Sequence, residues 1–390
     1  MNHLCTDVGY LSVNKYNEQL CGDHIELVHQ DEDTFVLVLA DGLGSGVKAN
    51  ILSTLTAKII STMMANHMSI ENCVNTLAST LPVSLEHGIA YSTFSIIQVI
   101  DSKVAEVIQY DNPQVILLRN GINYNYSNII LQINDKTIYK SSIELLPGDI
   151  LIAMSDGAVY AGPGKAMNQE WKRQNIIEYL EANYNDNYSA KMISTQLLDK
   201  CMALYGSQPG DDTTIAAIKI RQRQAINLLI GPPSNPNDIN KMLALFFAKE
   251  GKHIICGGTT SSLVAKYLGK EIETDMDYLD PDIPPISKIE GIDLVTEGVI
   301  TINQVLLYAK NYLENNDFDM EWSLQEDAAS LVSRLLLEEA TDINFYVGKA
   351  MNPAHQNSDL QLHFSIKMRL IEELSECLKG IGKRVSISYF

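Results

Sequence analysis

The sequence predicts an α/β protein built from two domains, and three observations carry that expectation. Apolar runs that read as strands, Thr34–Ala40, Ile150–Met154 and Thr213–Ile220, each border a motif of Asp and Gly. After the first of them, Val47, Ile51, Leu55, Ile59 and Met63 recur every four residues, the spacing of a helix with one apolar stripe. Beyond Arg221-Gln222-Arg223-Gln224 the pattern changes to short apolar runs alternating with helical stretches, which suits a mainly parallel sheet. With 390 residues, the chain is longer than one hydrophobic core usually serves.

The first domain, residues 1–222, reads as strand-rich with two helical regions. Glu71–Leu81 continues the first helix as a second one. Ser92–Ile100, Val104–Tyr110 and Val115–Arg119 read as consecutive strands, with Gly121 and Asn123 punctuating the turn that follows. Pro147-Gly148-Asp149 is a turn feeding the next strand, and the polar stretch Gly162–Tyr205 is helical. The brief polar run Arg221–Gln224 marks the boundary.

In the second domain, residues 225–390, Ala225–Ile230 is a strand ending in Gly231-Pro232-Pro233, followed by a helix over Pro236–Lys249. His253–Cys256 ends in Gly257-Gly258-Thr259-Thr260-Ser261-Ser262, and helix Leu263–Leu268 stops at Gly269. Ile292–Val295 precedes helix Asn303–Leu313, Ile343–Val347 ends in Gly348-Lys349, and helix Ser365–Leu378 precedes a closing strand Arg384–Tyr389. Ligands collect where the strands of an open α/β sheet end. Gly257, Gly258, Thr259, Thr260 and Ser261 are therefore a candidate ligand loop, offering backbone N–H groups and hydroxyls to a small anionic or polyhydroxylated molecule. The loop lacks the Lys of a P-loop and the spacing of a dinucleotide fingerprint, so no nucleotide is specified. An ordinary turn and helix cap is the alternative. His355 is a further candidate at the same sheet end.

The chemistry lies in the acidic residues at strand ends: Asp23 in Cys21-Gly22-Asp23, Asp41 in Asp41-Gly42-Leu43-Gly44-Ser45-Gly46, Asp156 in Ser155-Asp156-Gly157, and Asp211 and Asp212 in Gly210-Asp211-Asp212-Thr213-Thr214. Carboxylates from neighbouring strand ends converging on one point repel each other unless a cation joins them. Hard oxygen donors suit Mg²⁺ or Mn²⁺. Two such cations roughly 4 Å apart clamp a phosphoryl group and activate water for in-line attack.

In their order and spacing these motifs, with Tyr110-Asp111-Asn112-Pro113-Gln114-Val115 between them, resemble the SpoIIE-type branch of the PPM/PP2C serine/threonine phosphatases, over about residues 1–220. The resemblance implies an αββα sandwich with a dinuclear Mn²⁺ or Mg²⁺ site between the sheets. It implies a phosphoprotein substrate, such as an anti-sigma-factor antagonist in bacterial signalling. It also implies residue roles: Asp41 bridging both metals, Gly42 giving its carbonyl oxygen, Asp156 and Asp211 on one metal, Asp23 near the other, and Asp212 in the outer shell. Catalysis would rest on Asp41, Asp156 and Asp211. Ser45 stands where the family usually has His, Leu43 where it has Met, and Thr213 where it has Met; none of these removes a ligand.

Composition sets the remaining bounds. A formal net charge of −19 argues against non-specific nucleic-acid binding and against anionic membrane surfaces. No apolar run is long enough to span a bilayer. The start, Met1-Asn2-His3-Leu4-Cys5, lacks the pattern of a secretory signal, so a cytoplasmic location is expected. The six cysteines, at 5, 21, 73, 201, 256 and 377, are scattered without Cys-x-x-Cys, which suggests reduced thiols rather than zinc or disulfides.

The leading expectation is thus a metal-dependent phosphatase acting on phosphoserine or phosphothreonine, with the C-terminal domain regulating activity or substrate choice. The alternative is a weakly active phosphatase-fold scaffold whose C-terminal domain senses a small ligand. Small-molecule phosphatase activity at the same site is a third. Metal-dependent hydrolysis of a generic aryl phosphate separates the first two.

Overall fold

The computed structural model describes residues 4–31, 33–80, 92–134, 136–162, 171–274, 286–314, 325–350 and 360–390. The chain forms two compact units, Met1–Gln222 and Arg223–Phe390.

The first unit runs β1 (Leu4–Val13), β2 (Asp23–His29), β3 (Phe35–Asp41), α1 (Gly46–Ala65), α2 (Ile70–Thr80), β4 (Thr93–Ile100), β5 (Val104–Tyr110), β6 (Ile116–Arg119), β7 (Ile122–Asn123), β8 (Ile129–Ile133), β9 (Lys136–Glu144), β10 (Ile150–Met154), α3 (Asp156–Val159), α4 (Arg173–Ala182), α5 (Ala190–Tyr205) and β11 (Thr213–Gln222). Two sheets result, ordered β1-β11-β10-β6-β7 and β2-β3-β4-β5-β9-β8. Their pairings are antiparallel throughout.

Strand β3 shows why this becomes four layers. Phe35, Leu37 and Leu39 join Leu151, Ala216 and Ile218 of the other sheet in the core between the sheets. The alternate residues Val36, Val38 and Ala40 face the other way, onto α1 and α2. On the far sheet, Ile152, Ile215 and Ala217 pack against α4 and α5 in the same manner. Because both faces are covered, the strands read as continuous apolar runs instead of alternating ones. The unit is an αββα sandwich.

Helix α1 is present as its periodicity predicts, with an orientation that the periodicity does not specify. That apolar stripe points outward at its start: Val47 is 60 % exposed, Ile51 51 % and Leu55 42 %. The buried face carries Ala49, Ser53, Thr56, Ala57 and Ile60. Helix α1 packs against β2 and β3, and mostly small side chains fill that contact. The boundary run differs from expectation, since Arg221 and Gln222 continue β11 in register with Cys5 and Leu4.

The second unit contains β12 (Ala225–Ile230), α6 (Ile239–Phe247), β13 (Lys252–Cys256), α7 (Gly258–Leu268), β14 (Glu273–Thr274), β15 (Ser287–Lys288), β16 (Leu294–Thr296), α8 (Val299–Glu314), α9 (Ala328–Ser333), β17 (Asp342–Val347), α10 (Leu360–Gly380) and β18 (Arg384–Tyr389). The sheet order is β14-β15-β16-β13-β12-β17-β18. Strands β16, β13, β12, β17 and β18 are parallel, and β14 and β15 add an antiparallel edge. One face packs against α8, α9 and α10, the other against α6 and α7. The strand order reverses between β12 and β17, so this is a doubly wound α/β sheet.

Candidate active site

The acidic motifs gather at one end of the sandwich because the ladders place them there. In the pairing of β2 with β3, Asp23 sits opposite Asp41, and Asp41 in turn sits opposite Thr93 of β4. The Gly42 N–H donates to the Gly22 carbonyl at 3.1 Å, which ties the two acidic segments together. On the other sheet β10 and β11 pair as far as Met154 and Ile215. The Ser155 N–H then donates to the Thr214 carbonyl at 3.0 Å, and the Thr214 N–H to Ser155 Oγ at 2.9 Å. Asp156, opening α3, is thereby held beside the start of β11 and the Asp211-Asp212 pair.

Two glycines permit this closeness. A β-carbon on Gly42 would lie 2.2 Å from the Ala49 carbonyl oxygen, and one on Gly157 would lie 2.1 Å from the Asp212 carbonyl oxygen. Asp-Gly is required here by backbone packing, beyond its common use in turns.

Asp41, Asp156 and Asp211 line one cavity of about 610 Å³, together with Gly42, Leu43 and Gly44. Asp23 and Asp212, each 4 % exposed, are buried and outside that lining. The Lys15 N–H donates to Asp212 Oδ1 at 3.0 Å, and Lys15 Nζ lies 3.8 Å from Asp211. Both oxygens of Asp23 and Oδ2 of Asp212 are buried and make no hydrogen bond of good geometry, although the Ser155 and Thr214 hydroxyls lie beside Asp23 and the Cys21 thiol beside Asp212. Such groups are normally well hydrogen-bonded, so this shortfall points to a cation-binding donor set.

The electrostatics agree. Burial, reinforced by the charges of Asp23, Asp156, Asp211 and Asp212, pushes the Asp41 carboxyl up to about 9. Burial raises Asp23 to about 7; the nearby Ser155 and Thr214 hydroxyls oppose this, while Asp212 and Asp156 add to it. Asp156 is raised as well, by burial and then by Asp211. Each shift reflects first the burial of a carboxyl and then the neighbouring carboxylates, which outweigh the hydrogen bonds that oppose them. Among the described residues no group of three or more His, Cys, Asp or Glu side chains is already gathered closely enough to hold a metal ion. The donors are carboxylates without His or Cys, and that all-oxygen chemistry suits Mg²⁺ or Mn²⁺ if the side chains draw together around a cation.

Sequence reasoning missed several cavity-lining groups. Lys15 lies between β1 and β2 with no motif around it, Thr93 enters only through its register with Asp41, and Arg173 also lines the cavity, as do Tyr110, Asp111 and Pro113 of the middle motif, to which the sequence assigns no role. The remaining expected residues lie in the second unit. Gly257 precedes α7 with φ 109°, Gly258 and Thr259 are exposed, and Thr260 and Ser261 are buried. Thr260 Oγ1 accepts from the Gly231 N–H at 2.9 Å, and Ser261 Oγ donates to the Gly257 carbonyl at 3.0 Å. Those two hydroxyls serve the fold, as do the Gly257 N–H, which donates to the Thr296 carbonyl at 2.8 Å, and the Ser261 N–H, which donates to the Gly257 carbonyl at 2.9 Å; the exposed Gly258 and Thr259 remain for any ligand. His355 lies outside the described residues.

A family model described as Stage II sporulation protein E (SpoIIE) matches residues 31–221. Those residues form a SpoIIE-type PP2C phosphatase domain. The Stage II sporulation protein E of Bacillus subtilis (strain 168) is 24 % identical over 203 residues, covering 51 % of this chain and 24 % of that protein. The chain thus spans about a quarter of the curated relative it matches. Among solved structures, the phosphatase domain of SpoIIE from Bacillus subtilis is 18 % identical, with 57 % of this chain and 95 % of that one covered and a TM-score of 0.44. A SpoIIE structure with the PP2C domain and a fragment of the regulatory domain is 19 % identical, covering 56 % and 63 %, at a TM-score of 0.47. RsbX in complex with magnesium is 18 % identical, covering 56 % and 96 %, at 0.38. The SpoIIE-type domain coincides with the unit that carries the carboxylate cluster. Among the described residues no helix is long and apolar enough to cross a membrane.

Proposed function

We propose that the N-terminal unit is a metal-dependent phosphatase for phosphoserine or phosphothreonine on a partner protein, with the C-terminal unit regulating activity or substrate choice. One observation carries the proposal: five Asp residues from two sheets gather at one end of the sandwich, three on a cavity and two buried, with buried oxygens that make no hydrogen bond of good geometry. Asp41, Asp156, Asp211 and Asp23 would hold Mn²⁺ or Mg²⁺, with Gly42 contributing its carbonyl and Asp212 supporting from behind. Bound there, the cations would supply Lewis-acid stabilisation of the phosphoryl oxygens and a more acidic water.

The chain's own residues do the rest. The two ladders fix the carboxylates before substrate arrives, so little reorganisation is needed at the moment of reaction. Lys15 holds the Asp211-Asp212 loop through its N–H and its ammonium group. The Tyr205 hydroxyl donates to the Gly157 carbonyl at 2.7 Å and steadies the turn after Asp156. No side-chain nucleophile is required. The open cavity admits a phosphorylated side chain presented from a protein surface.

A phosphoproteome comparison tests the substrate class. Cells carrying Asp41→Asn in place of the native protein should accumulate phosphoserine or phosphothreonine on at least one protein. An unchanged phosphoproteome, with the native protein expressed and soluble, would remove the phosphoprotein from the proposal.

A further inference from the structure

Arg173 is the first residue of α4 and lines the same cavity as Asp41, Asp156 and Asp211. Its guanidinium is fixed by the chain: Nε donates to the Gln114 carbonyl at 3.0 Å and Nη2 to the Val115 carbonyl at 3.4 Å. Val115 is itself anchored, because the Tyr126 hydroxyl donates to the same carbonyl at 2.6 Å. Two backbone carbonyls orient the group without neutralising it. Among the described residues no carboxylate pairs with Arg173. The other cation on the cavity wall, Lys15, faces Asp211 at 3.8 Å.

A half-buried guanidinium without a counter-ion is costly to maintain. Burial draws its pKa below the usual value, and Tyr126 opposes that shift. Such a group is retained where an anion completes it. Guanidinium has five N–H donors in a planar fork, and the two carbonyls use only part of that fork. The remaining donors suit a tetrahedral oxyanion, which accepts parallel charge-assisted hydrogen bonds. On a wall shared with carboxylates, a phosphate monoester dianion needs a positive protein group as well as cations.

We infer that Arg173 is a specificity-determining residue that binds the phosphoryl oxygens of the substrate, and equally those of the phosphate product. This rests on the phosphatase proposal above. The rival role is structural: Arg173 would only fasten α4 to the loop between β5 and β6.

The test uses the full chain with Mn²⁺, comparing the native protein with Arg173→Gln and Arg173→Lys. Steady-state kinetics with p-nitrophenyl phosphate and with a phosphoserine peptide give KM and kcat. Product inhibition gives Ki for inorganic phosphate, calorimetry gives phosphate binding without turnover, and thermal melting reports the fold. Loss of charge-assisted bonds of this kind should raise KM for both substrates and Ki for phosphate by about tenfold in Arg173→Gln. kcat should change less, and Arg173→Lys should recover part of the loss. KM, Ki and calorimetric phosphate affinity all within about twofold of native in both variants would overturn the inference, most plainly if melting temperature fell. A rise in KM for the peptide alone would also overturn it, since that places Arg173 on the peptide. If the native protein turns over neither substrate, the phosphatase proposal falls, and calorimetry still decides whether Arg173 binds phosphate.

Discussion

Asp23 sits directly opposite Asp41 in the antiparallel pairing of β2 with β3. Residues so paired project to one face with β-carbons about 5 Å apart, and like charges there are destabilising. Asp23 is also buried, with neither oxygen in a hydrogen bond of good geometry. The fold therefore carries a local electrostatic cost, seen as carboxyls held above their ordinary range, that a bound cation would remove.

Relieving that cost should be measurable. Asp23→Asn should raise the melting temperature of the chelator-stripped protein by roughly 2–4 °C, about 1 kcal/mol for a unit of this size. The same variant should show a smaller upward shift than the native protein when Mn²⁺ is added. Differential scanning fluorimetry with and without Mn²⁺ checks both. A lower melting temperature without metal would show that Asp23 is paired in a way that stabilises the fold.

Asp41→Asn and Asp156→Asn should each lower kcat by about two orders of magnitude or more while circular dichroism stays native. Cys21→Ser should leave activity within about twofold. The Cys21 thiol makes a long contact, 3.8 Å, with the Val13 carbonyl and lies beside Asp23 and Asp212, and a serine hydroxyl can replace it in each of these contacts. Native rates in both Asp variants would place the chemistry elsewhere.

The acidic motifs were legible because Asp-Gly and Gly-Asp at strand ends leave a mark in sequence, and antiparallel neighbours bring strand ends together. The second unit was legible from short buried strands alternating with helices. Its strand order, and hence the reversal between β12 and β17, was not, because pairing between distant segments leaves no local signal. The orientation of α1 was not legible, for a physical reason. Periodicity reports which apolar residues share a face, and packing decides which face is buried. Here the sheet takes Ala49, Ser53 and Ala57 and leaves Val47 and Ile51 outside. The strands Ile129–Ile133 and Lys136–Glu144 also went unread, since β8 lies at a sheet edge with Ile129 58 % and Ile130 60 % exposed. Arg173 and Lys15 reach the cavity only through tertiary structure, so no motif announced them.

Away from the site, Arg119 should matter for stability. It binds Asp149 through two hydrogen bonds, Nε to Oδ1 at 2.9 Å and Nη2 to Oδ2 at 2.8 Å. Asp149 is fully buried and also accepts from the Leu146 N–H at 2.9 Å. Arg119→Met should cost about 3 kcal/mol in urea unfolding by leaving that carboxylate without its counter-ion. Metal dependence should be unaltered. A loss below about 1 kcal/mol would class the pair with weak surface ion pairs.

Cutting after Gln222 should leave a folded, active fragment. The ladder between β1 and β11 closes within residues 4–222, from Leu4 opposite Gln222 to Val13 opposite Thr213. The fragment should melt cooperatively and hydrolyse p-nitrophenyl phosphate with Mn²⁺, with a rate or selectivity on the phosphoprotein that differs from the full chain. Identical phosphoprotein kinetics would remove the regulatory role of the second unit, and an unfolded fragment would show that the two units share stability.

The most direct measurement is turnover of a phosphoserine peptide by the full chain as a function of Mn²⁺, starting from protein stripped of metal by chelator, with Asp41→Asn measured alongside. The expected result is no turnover in chelator, a saturable rise with Mn²⁺ in the native protein, and no comparable rise in the variant. Turnover that persists in excess chelator, or that the variant matches, would contradict the assignment of the carboxylate cluster as a divalent-metal phosphatase site.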